Sequence, residues 1–318
     1  MTTLVVTRTL PEPVARRAHQ EYSTRFLGLA SNFDRALFIE ALADAEAALV
    51  TPADQLDAAT ISALPKPLRV LGTFSVGTDH IDLEAARRRG LSVVNTPDVL
   101  SFATAELAIT LMLMAARRAG EGERIARAGA WKGWTPDFLL GTTLEGKVLG
   151  ILGMGRIGQA LGRMAKGFRM EITYHNRARL GPDHEQGARY VQSIPRFLGG
   201  LDVLSIHLPG GKETHHWLNR ARIVDLKPGA IVINTGRGTT IDDDALADAL
   251  RTKRIRAAGL DVFVHEPDIP EVYRTLENVV LLPHLGSATV ETRVAMGMLA
   301  LDGIAAVLAH QHPPNQVV

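Results

Sequence analysis

The chain of 318 residues contains no cysteine. This absence excludes disulfide bonds, thiolate nucleophiles and every zinc or iron–sulfur site that needs cysteine ligands. We expect no metal in this protein. A chain without disulfides is compatible with a reducing compartment, and we expect it to be cytoplasmic.

The sequence also lacks a charge excess and a long apolar run. Lys and Arg number 35 against 34 Asp and Glu, a net charge of +1, so the basic excess that binds a phosphodiester backbone is missing. The apolar stretch 107–116 is too short to span a bilayer. Residues 4–6 run into charge and proline, which indicates a first strand and not a signal peptide. We therefore expect no nucleic-acid or membrane partner.

Short β-branched runs alternate with helical patterns, which predicts an α/β protein with parallel sheets. The length is that of about two domains. Strands are predicted at residues 4–7, 70–73, 93–95, 148–152, 171–174, 203–207, 230–234, 258–261 and 279–282. Helical patterns cover 83–89, 105–118, 157–168, 243–251 and 289–308. Residues 119–146, rich in Gly, Trp and charge, stand apart and are typical of an excursion that contacts another subunit.

A glycine-rich loop follows the strand predicted at 148–152. In Gly153-x-Gly155-x-x-Gly158 the first glycine permits a tight turn, the second lets the backbone approach a pyrophosphate, and the third allows close helix packing. The next helix would direct its N-terminal amides at the anion. Because strand, loop, helix and second strand follow in order, we predict a dinucleotide site. Its residues are Gly153, Met154, Gly155, Arg156, Ile157 and Gly158.

The end of the second strand predicts which dinucleotide binds. An NAD site usually has an acid there to bind the ribose 2′-hydroxyl, but this chain has Asn176, followed by Arg177 and Arg179. An amide does not repel a 2′-phosphate, and a guanidinium can chelate one. We predict that NADP(H) is preferred, with NAD(H) as the other cofactor; the alternative is a solvated basic loop.

Three complementary side chains lie just past later strands. Arg237 follows the strand at 230–234, Glu266 the one at 258–261, and His284 the one at 279–282. Reduction of a 2-keto acid needs a cation for the carboxylate and keto oxygen, a proton donor for the developing alkoxide, and an acid that keeps the donor protonated. We predict that Arg237, His284 and Glu266 have these roles in that order, although each alone is more often structural.

These segments resemble the D-isomer-specific 2-hydroxyacid dehydrogenases. The resemblance rests on INTGRG around Arg237, LDVFVHEP around Glu266 and PHLGSAT around His284, together with SVGTDHID at 75–82, NTPDVL at 95–100 and TAELA at 104–108. It covers nearly the whole chain from about residue 45. SVGTDHID, WKGWTP and the HNR turn are most similar to the glyoxylate/hydroxypyruvate reductases, which are commonly NADPH-dependent.

The resemblance implies a Rossmann dinucleotide-binding domain inserted in a flavodoxin-like substrate domain. Residues 1–98 and a C-terminal helix in 287–318 would form the substrate domain, and 99–286 the inserted domain, with homodimers as the usual assembly. The amides of Val76 and Gly77 would bind the substrate carboxylate together with Arg237. His284 would contact the substrate at its keto oxygen and protonate it, and Trp134 would reach a neighbouring subunit's active site. The implied cofactor contacts are Thr104, His207, Leu208, Pro209, Thr214, Thr235, Gly236, Asp261 and Gly286.

Alternatives stay open for several of these residues. Val76 and Gly77 could form a plain strand-to-helix turn, Trp134 could only bury itself in a dimer contact, and Asp261 could cap the next turn. The loop after Pro209 reads GGKET, where many relatives have Leu-Thr-x-x-Thr, so its contacts are less defined.

The leading functional hypothesis is reduction of glyoxylate and hydroxypyruvate to glycolate and D-glycerate. A reductase of another 2-keto acid such as 3-phosphohydroxypyruvate, and a non-catalytic dinucleotide-sensing protein, are the alternatives.

Overall fold

The computed structural model describes residues 1–29 and 33–318. The chain forms two compact units. Met1–Leu100 and Ser287–Val318 make up the first unit, and Ser101–Gly286 make up the second. The second unit is therefore an insertion in the sequence of the first, and each is described by itself.

The N-terminal part of the first unit alternates strands and helices. Its elements are β1 (Thr3–Val6), α1 (Glu12–Glu21), β2 (Ser23–Phe26), α2 (Arg35–Ala41), β3 (Ala47–Val50), α3 (Ala58–Ala63), β4 (Val70–Thr73), α4 (Leu83–Arg89) and β5 (Ser92–Val94). The five strands are parallel and lie in the order β2-β1-β3-β4-β5. This is the strand order of flavodoxin-like folds.

The helices of this part begin at side chains that cap them. Asp34, Asp57 and Asp82 each accept a hydrogen bond from a first-turn amide of α2, α3 and α4, respectively. An aspartate at this position satisfies an amide that has no partner within the helix. The helices cover a sheet whose central strands β3 and β4 are buried at every position, as expected for a parallel sheet.

The second unit is a larger doubly wound sheet. Its elements are α5 (Ser101–Ala116), α6 (Ala119–Arg127), β6 (Val148–Leu152), α7 (Arg156–Lys166), β7 (Glu171–His175), α8 (Pro182–Glu185), β8 (Arg189–Tyr190), α9 (Ile194–Gly199), β9 (Val203–Ile206), α10 (Arg220–Asp225), β10 (Ala230–Asn234), α11 (Asp243–Arg251), β11 (Ile255–Leu260), α12 (Glu271–Arg274) and β12 (Val279–Leu281). A single 3₁₀ turn, Gly238–Thr240, lies between β10 and α11.

The seven strands of the second unit are parallel, in the order β12-β11-β10-β9-β6-β7-β8. Counted from β6, this is the Rossmann order, and the direction of winding reverses between β6 and β9. Ligands of such sheets bind beyond the carboxyl ends of the strands at this reversal. Successive residues of the central strand β9 pack in two different apolar clusters. Leu204 belongs to one cluster and Val203 to the other.

The chain returns to the first unit through α13 (Val290–Leu308). The last residues then run along β5. Val93 exchanges backbone hydrogen bonds with Val317 and Val318, and Val94 forms an antiparallel bridge with Gln316. This tail covers the edge of the five-stranded sheet. In the part of the chain that the structure describes, no helix is long and apolar enough to cross a membrane.

The α/β fold class and all nine predicted strands are confirmed, as are the five helices. Most ends agree within two residues, but β11 begins three residues earlier than predicted and α5 four residues earlier. Three strands, β2, β3 and β8, were not predicted. The segment 119–146 contains α6 and then a long irregular stretch with little burial.

Candidate active site

The glycine loop lies at the carboxyl end of β6, at the reversal of the sheet. Gly153 has a φ of +91°, which favours glycine, and a Cβ there would lie 2.9 Å from the carbonyl oxygen of His207. A Cβ on Gly155 would meet nothing within 4 Å, whereas one on Gly158 would lie 2.6 Å from the Gly153 oxygen. The residue that precedes α7 is Gly155, which has no side chain to cap the helix. An open backbone at Gly155 and an uncapped helix N-terminus fit the pyrophosphate of a dinucleotide.

Asn176, at the end of β7, holds this loop. Its Oδ1 accepts a hydrogen bond of 2.7 Å from the amide of Met154. The carboxamide oxygen is therefore bound to the loop, and the NH₂ group is the part of the side chain with hydrogens to offer a ligand.

The two arginines after Asn176 have different partners. Arg179 makes a two-point ion pair with Glu185, with N···O distances of 2.7 and 3.0 Å. Glu185 also accepts a 2.7 Å bond from the Tyr174 hydroxyl. Hydrogen bonds from Arg179 and then Tyr174 lower the pKa of Glu185 to about 2. Arg177 instead contacts Glu213 at 2.5 Å, and both side chains are largely exposed, at 90% and 76%.

A second set of cofactor candidates lies at the end of β9. The ring of His207 is bonded on both nitrogens, to Ser205 Oγ at 2.9 Å and to Thr235 Oγ1 at 3.1 Å. Desolvation lowers the pKa of His207 to about 4, so this imidazole is neutral near pH 7. The Thr214 hydroxyl donates to the Pro209 carbonyl at 2.7 Å, which fixes the loop that departs from the family pattern.

Leu208 follows His207 in the chain, and Gly236 follows Thr235. A Cβ added to Gly236 would lie 2.7 Å from the Leu208 carbonyl oxygen. The two backbones are therefore in close approach, and only glycine fits at position 236 without a shift.

Arg237 begins the 3₁₀ turn after β10. The buried Asn234 donates from Nδ2 to the Arg237 carbonyl at 3.0 Å and accepts from the Gly236 amide at 3.0 Å. Asn234 thus ties both ends of the short loop to the strand. Asn234 is a site residue that was not predicted, although its place directly before the Thr-Gly-Arg run is a signal in the sequence.

Glu266 and His284 form a direct pair. His284 Nδ1 and Glu266 Oε2 are 2.6 Å apart, and Glu266 Oε1 accepts from the Phe263 amide at 3.0 Å. Burial raises the pKa of Glu266, but the hydrogen bond and charge of His284, the Phe263 amide and the charge of Arg237 together hold it below its usual value. Glu266 is therefore an anion near pH 7. Both of the other predicted polar residues of the second unit, His284 and Arg237, therefore act on this carboxylate.

Asp261 holds the turn that carries His284. Its carboxylate accepts from the amides of Leu285 at 2.7 Å and Gly286 at 2.9 Å, and its carbonyl accepts from the His284 amide at 2.9 Å. Burial raises the pKa of Asp261 to about 6, against the opposing effect of these amides. His284 has a φ of +54°, an uncommon conformation for a residue other than glycine. Thr104, on α5, would touch a Cβ placed on Gly286, at 3.3 Å.

Val76 and Gly77 lie in the first unit, in the loop between β4 and α4. Asn95 donates to the Val76 carbonyl at 2.8 Å, and Ser75 donates to the Gly77 carbonyl at 2.6 Å. Neither contact was anticipated from the sequence.

Trp134 lies in the irregular stretch of the second unit and is 79% exposed. Its neighbours Trp131, Phe138 and Leu140 are also exposed, so four large apolar side chains share one surface segment. Such a patch is unusual on an isolated monomer and marks an interaction surface.

Comparison with known proteins identifies the family. Residues 109–286 match the family described as "D-isomer specific 2-hydroxyacid dehydrogenase, NAD binding domain". The chain belongs to the D-isomer-specific 2-hydroxyacid dehydrogenases. It is 41% identical over 317 residues to the glyoxylate reductase of Thermococcus litoralis, covering 98% of this chain and 95% of that protein. It is 39% identical over 306 residues to the glycerate dehydrogenase of Hyphomicrobium methylovorum, covering 96% and 95%.

A solved structure shows the same fold. The NADPH-dependent glyoxylate/hydroxypyruvate reductase of Sinorhizobium meliloti, in complex with NADP and malonate, aligns with a TM-score of 0.89 at 33% identity, over 100% of this chain and 97% of that one. The dehydrogenase is therefore an oxidoreductase of 2-hydroxyacids that uses a nicotinamide dinucleotide. The predicted family is confirmed.

Proposed function

We propose that this dehydrogenase reduces glyoxylate and hydroxypyruvate to glycolate and D-glycerate, with NADPH as the preferred cofactor. The observation that carries the proposal is the 2.6 Å contact between His284 and Glu266, in the unit that also carries Arg237 and the glycine loop. Each product is the keto acid plus a hydride at the carbonyl carbon and a proton at its oxygen, so the site must supply one cation and one acid.

His284 is the acid of this scheme. Glu266 is ionised and accepts a hydrogen bond from Nδ1–H, so this nitrogen stays protonated and Nε2 is the nitrogen that exchanges a proton with the substrate. The contact with Glu266 also orients the ring, and the protonated ring is the form that can donate. As the carbonyl becomes an alkoxide, the proton moves from Nε2 to the oxygen.

Arg237 is the electrophilic partner. A guanidinium is always charged and presents a planar set of donors that matches a carboxylate or a polarised carbonyl oxygen. Asn234 holds the backbone on both sides of Arg237, so the side chain starts from a fixed point. The amides of Val76 and Gly77 would bind the substrate carboxylate. The bound cofactor supplies the hydride.

Different residues would hold different parts of the dinucleotide. The open Gly155 and the uncapped start of α7 suit the pyrophosphate. Asn176, with its NH₂ group toward a ligand, and the exposed Arg177 suit a 2′-phosphate better than an acid would. We therefore propose NADPH over NADH. Thr104, Asp261 and Gly286 would line the nicotinamide end.

We also propose a homodimer. The exposed apolar segment with Trp131, Trp134, Phe138 and Leu140 suits an interface with a second copy of this chain. Analytical ultracentrifugation tests this: Trp134→Ala together with Leu140→Ser should weaken the dimer, and a monomeric wild type would overturn it.

Steady-state kinetics on a panel of 2-keto acids with both reduced cofactors tests the function. We expect the highest kcat/KM with glyoxylate or hydroxypyruvate and NADPH. A higher value with 3-phosphohydroxypyruvate would favour the reductase of a phosphorylated keto acid. Negligible turnover of every keto acid by a protein that binds NADPH would favour a dinucleotide sensor.

A further inference from the structure

The loop between β4 and α4 contains the two backbone amides that are proposed to bind the substrate carboxylate. Val76 and Gly77 are both partly exposed, and within residues 1–29 and 33–318 neither amide donates a hydrogen bond to another residue. Backbone amides are obligatory donors, and most find a partner. Two successive unpaired amides are therefore an arrangement that suits an anion.

Asn95 fixes the direction of one of these amides. Its Nδ2 donates to the Val76 carbonyl at 2.8 Å. The only cis peptide bond in the part of the chain described is Glu266-Pro267, so the Val76–Gly77 peptide is trans. In a trans peptide the N–H points opposite to the C=O. A donor at the Val76 oxygen therefore aims the Gly77 N–H away from Asn95, and it also polarises the peptide so that this N–H is a stronger donor.

A buried relay fixes the next peptide in the same way. Ser75 Oγ donates to the Gly77 carbonyl at 2.6 Å, and Thr73 Oγ1 lies 2.8 Å from Ser75 Oγ and 2.9 Å from His80 Nε2. Thr73, Ser75 and His80 are 0%, 6% and 5% exposed. The hydroxyl of Ser75 contacts both Thr73 and the Gly77 carbonyl, so its orientation toward that carbonyl is fixed.

Asn95 is itself held by the chain's last residues. Its amide donates to the Asn315 carbonyl at 3.0 Å, and its carbonyl accepts from Asn315 Nδ2 at 2.7 Å. Both residues are buried. The backbone of Asn95 is thus bound independently of its side chain, which leaves the carboxamide free to serve the Val76 carbonyl alone.

We propose that Asn95 is a positioning residue that orients and polarises the Gly77 amide for the carboxylate of the 2-keto acid. Ser75 supports it from the other side of Gly77. The proposal rests on the proposed function, in which this amide binds that carboxylate. It predicts that Asn95 contributes to recognition of the carboxylate and not to the reaction at the carbonyl.

The test compares a substrate that has the carboxylate with one that lacks it. Glyoxylate and glycolaldehyde both present an aldehyde, but glycolaldehyde has a hydroxymethyl group in place of the carboxylate. For Asn95→Ala we expect kcat/KM with glyoxylate to fall about tenfold more than kcat/KM with glycolaldehyde. The loss should appear chiefly in KM, because a hydrogen bond to a charged group is lost or misdirected.

Two further variants separate positioning from a general structural lesion. Asn278 also donates from Nδ2 to two backbone carbonyls, those of Leu250 and Arg256, but in the second unit. Asn278→Ala should lower the melting temperature without changing the ratio of the two substrates. Ser75→Ala should shift the ratio in the same direction as Asn95→Ala, and it serves as the test if Asn95→Ala does not fold.

The outcomes distinguish this proposal from the proposed function. If the wild type does not prefer glyoxylate to glycolaldehyde, carboxylate recognition fails and the function fails with it. If the wild type has the preference and a folded Asn95→Ala keeps it, the positioning role alone is overturned; if Asn95→Ala does not fold, an unchanged ratio in Ser75→Ala overturns it instead. A ratio that falls in the variant that decides, but not in Asn278→Ala, supports it.

Discussion

Arg177 and Arg179 lie two positions apart, yet we expect only Arg177 to determine the preference for NADPH. The side chain of Arg179 is bound at two points to Glu185, which Tyr174 also binds. To reach a 2′-phosphate, Arg179 would have to break both contacts and leave the carboxylate of Glu185 with one donor fewer. Arg177 has to give up only a surface ion pair with Glu213, and such pairs contribute about 0–1 kcal/mol.

The expected magnitudes follow from these partners. A hydrogen bond to a charged group contributes about 1.5–3 kcal/mol, and about 1.4 kcal/mol corresponds to tenfold in affinity. Arg177→Ala should therefore raise KM for NADPH about 10- to 100-fold and change KM for NADH less than about twofold. Arg179→Ala should change the ratio of the two KM values less than about threefold, and it should lower the melting temperature because Glu185 loses its main partner.

Glu213 provides the opposite perturbation. Glu213→Gln removes the acid that competes with a 2′-phosphate for Arg177, so KM for NADPH should fall, by up to about fivefold for a pair of about 1 kcal/mol. The same variant should leave KM for NADH nearly unchanged. Glu213→Gln should thus lower KM for NADPH, whereas Arg177→Ala should raise it. A general disturbance of the loop would not produce opposite changes in the two variants.

Initial rates at saturating glyoxylate with each reduced cofactor provide the measurement. Binding of adenosine 2′,5′-bisphosphate relative to 5′-AMP, measured by calorimetry, isolates the 2′-phosphate from the reaction. The reasoning is refuted if Arg179→Ala removes the preference and Arg177→Ala does not. That result would mean that the two-point pair with Glu185 opens when the cofactor binds.

Five other substitutions test the site. His284→Ala should lower kcat about 10²–10⁴-fold, the usual contribution of a general acid, and an unchanged kcat would remove it from that role. Arg237→Ala should raise KM for the keto acid and lower kcat together; a change in KM alone would limit Arg237 to binding. Glu266→Gln replaces the carboxylate that contacts His284 Nδ1 with a neutral amide, so kcat should fall and the pH dependence of reduction should change; an unchanged pH profile would remove Glu266 from this role. Gly158→Ala should destabilise the fold by about 1–3 kcal/mol through overpacking, whereas Gly155→Ala should leave the melting temperature unchanged and weaken cofactor binding, since a Cβ there meets open space.

Most strands and the dinucleotide loop were predictable because their signals are local. A run of β-branched residues followed by glycines at fixed spacing needs no knowledge of the rest of the chain. The strands that were missed lack this signal. β3 reads Ala-Ala-Leu-Val, which is equally suited to a helix, β8 is two residues long, and β2 is an edge strand that is only half-buried.

The chemistry of the site was predictable from residue types at strand ends, but its contacts were not. Nothing near Arg177 or Arg179 in the sequence indicates that one pairs with Glu185 and the other with Glu213. The support of the Val76 carbonyl involves Asn95 and, through it, Asn315, a residue 220 positions further along the chain. Contacts of this kind join residues that are distant in the sequence. The hydrophobic periodicity of single strands and helices therefore does not predict them.

The three loops with candidate substrate contacts are built in the same physical way. Each leaves the carboxyl end of a strand, where the backbone loses its sheet partners, and each is tied by a buried polar side chain: Asn234 for Arg237, Asp261 for His284 and Asn95 for Val76. These ties satisfy groups of the loop backbone through residues other than the reactive ones, and at Arg237 the guanidinium adds a bond of 2.9 Å to the Gly236 carbonyl. The effect is clearest at His284, whose left-handed backbone conformation costs about 1–3 kcal/mol. The bonds to Asp261 offset this cost, and they leave the imidazole to pair with Glu266 on one side and to present Nε2 on the other.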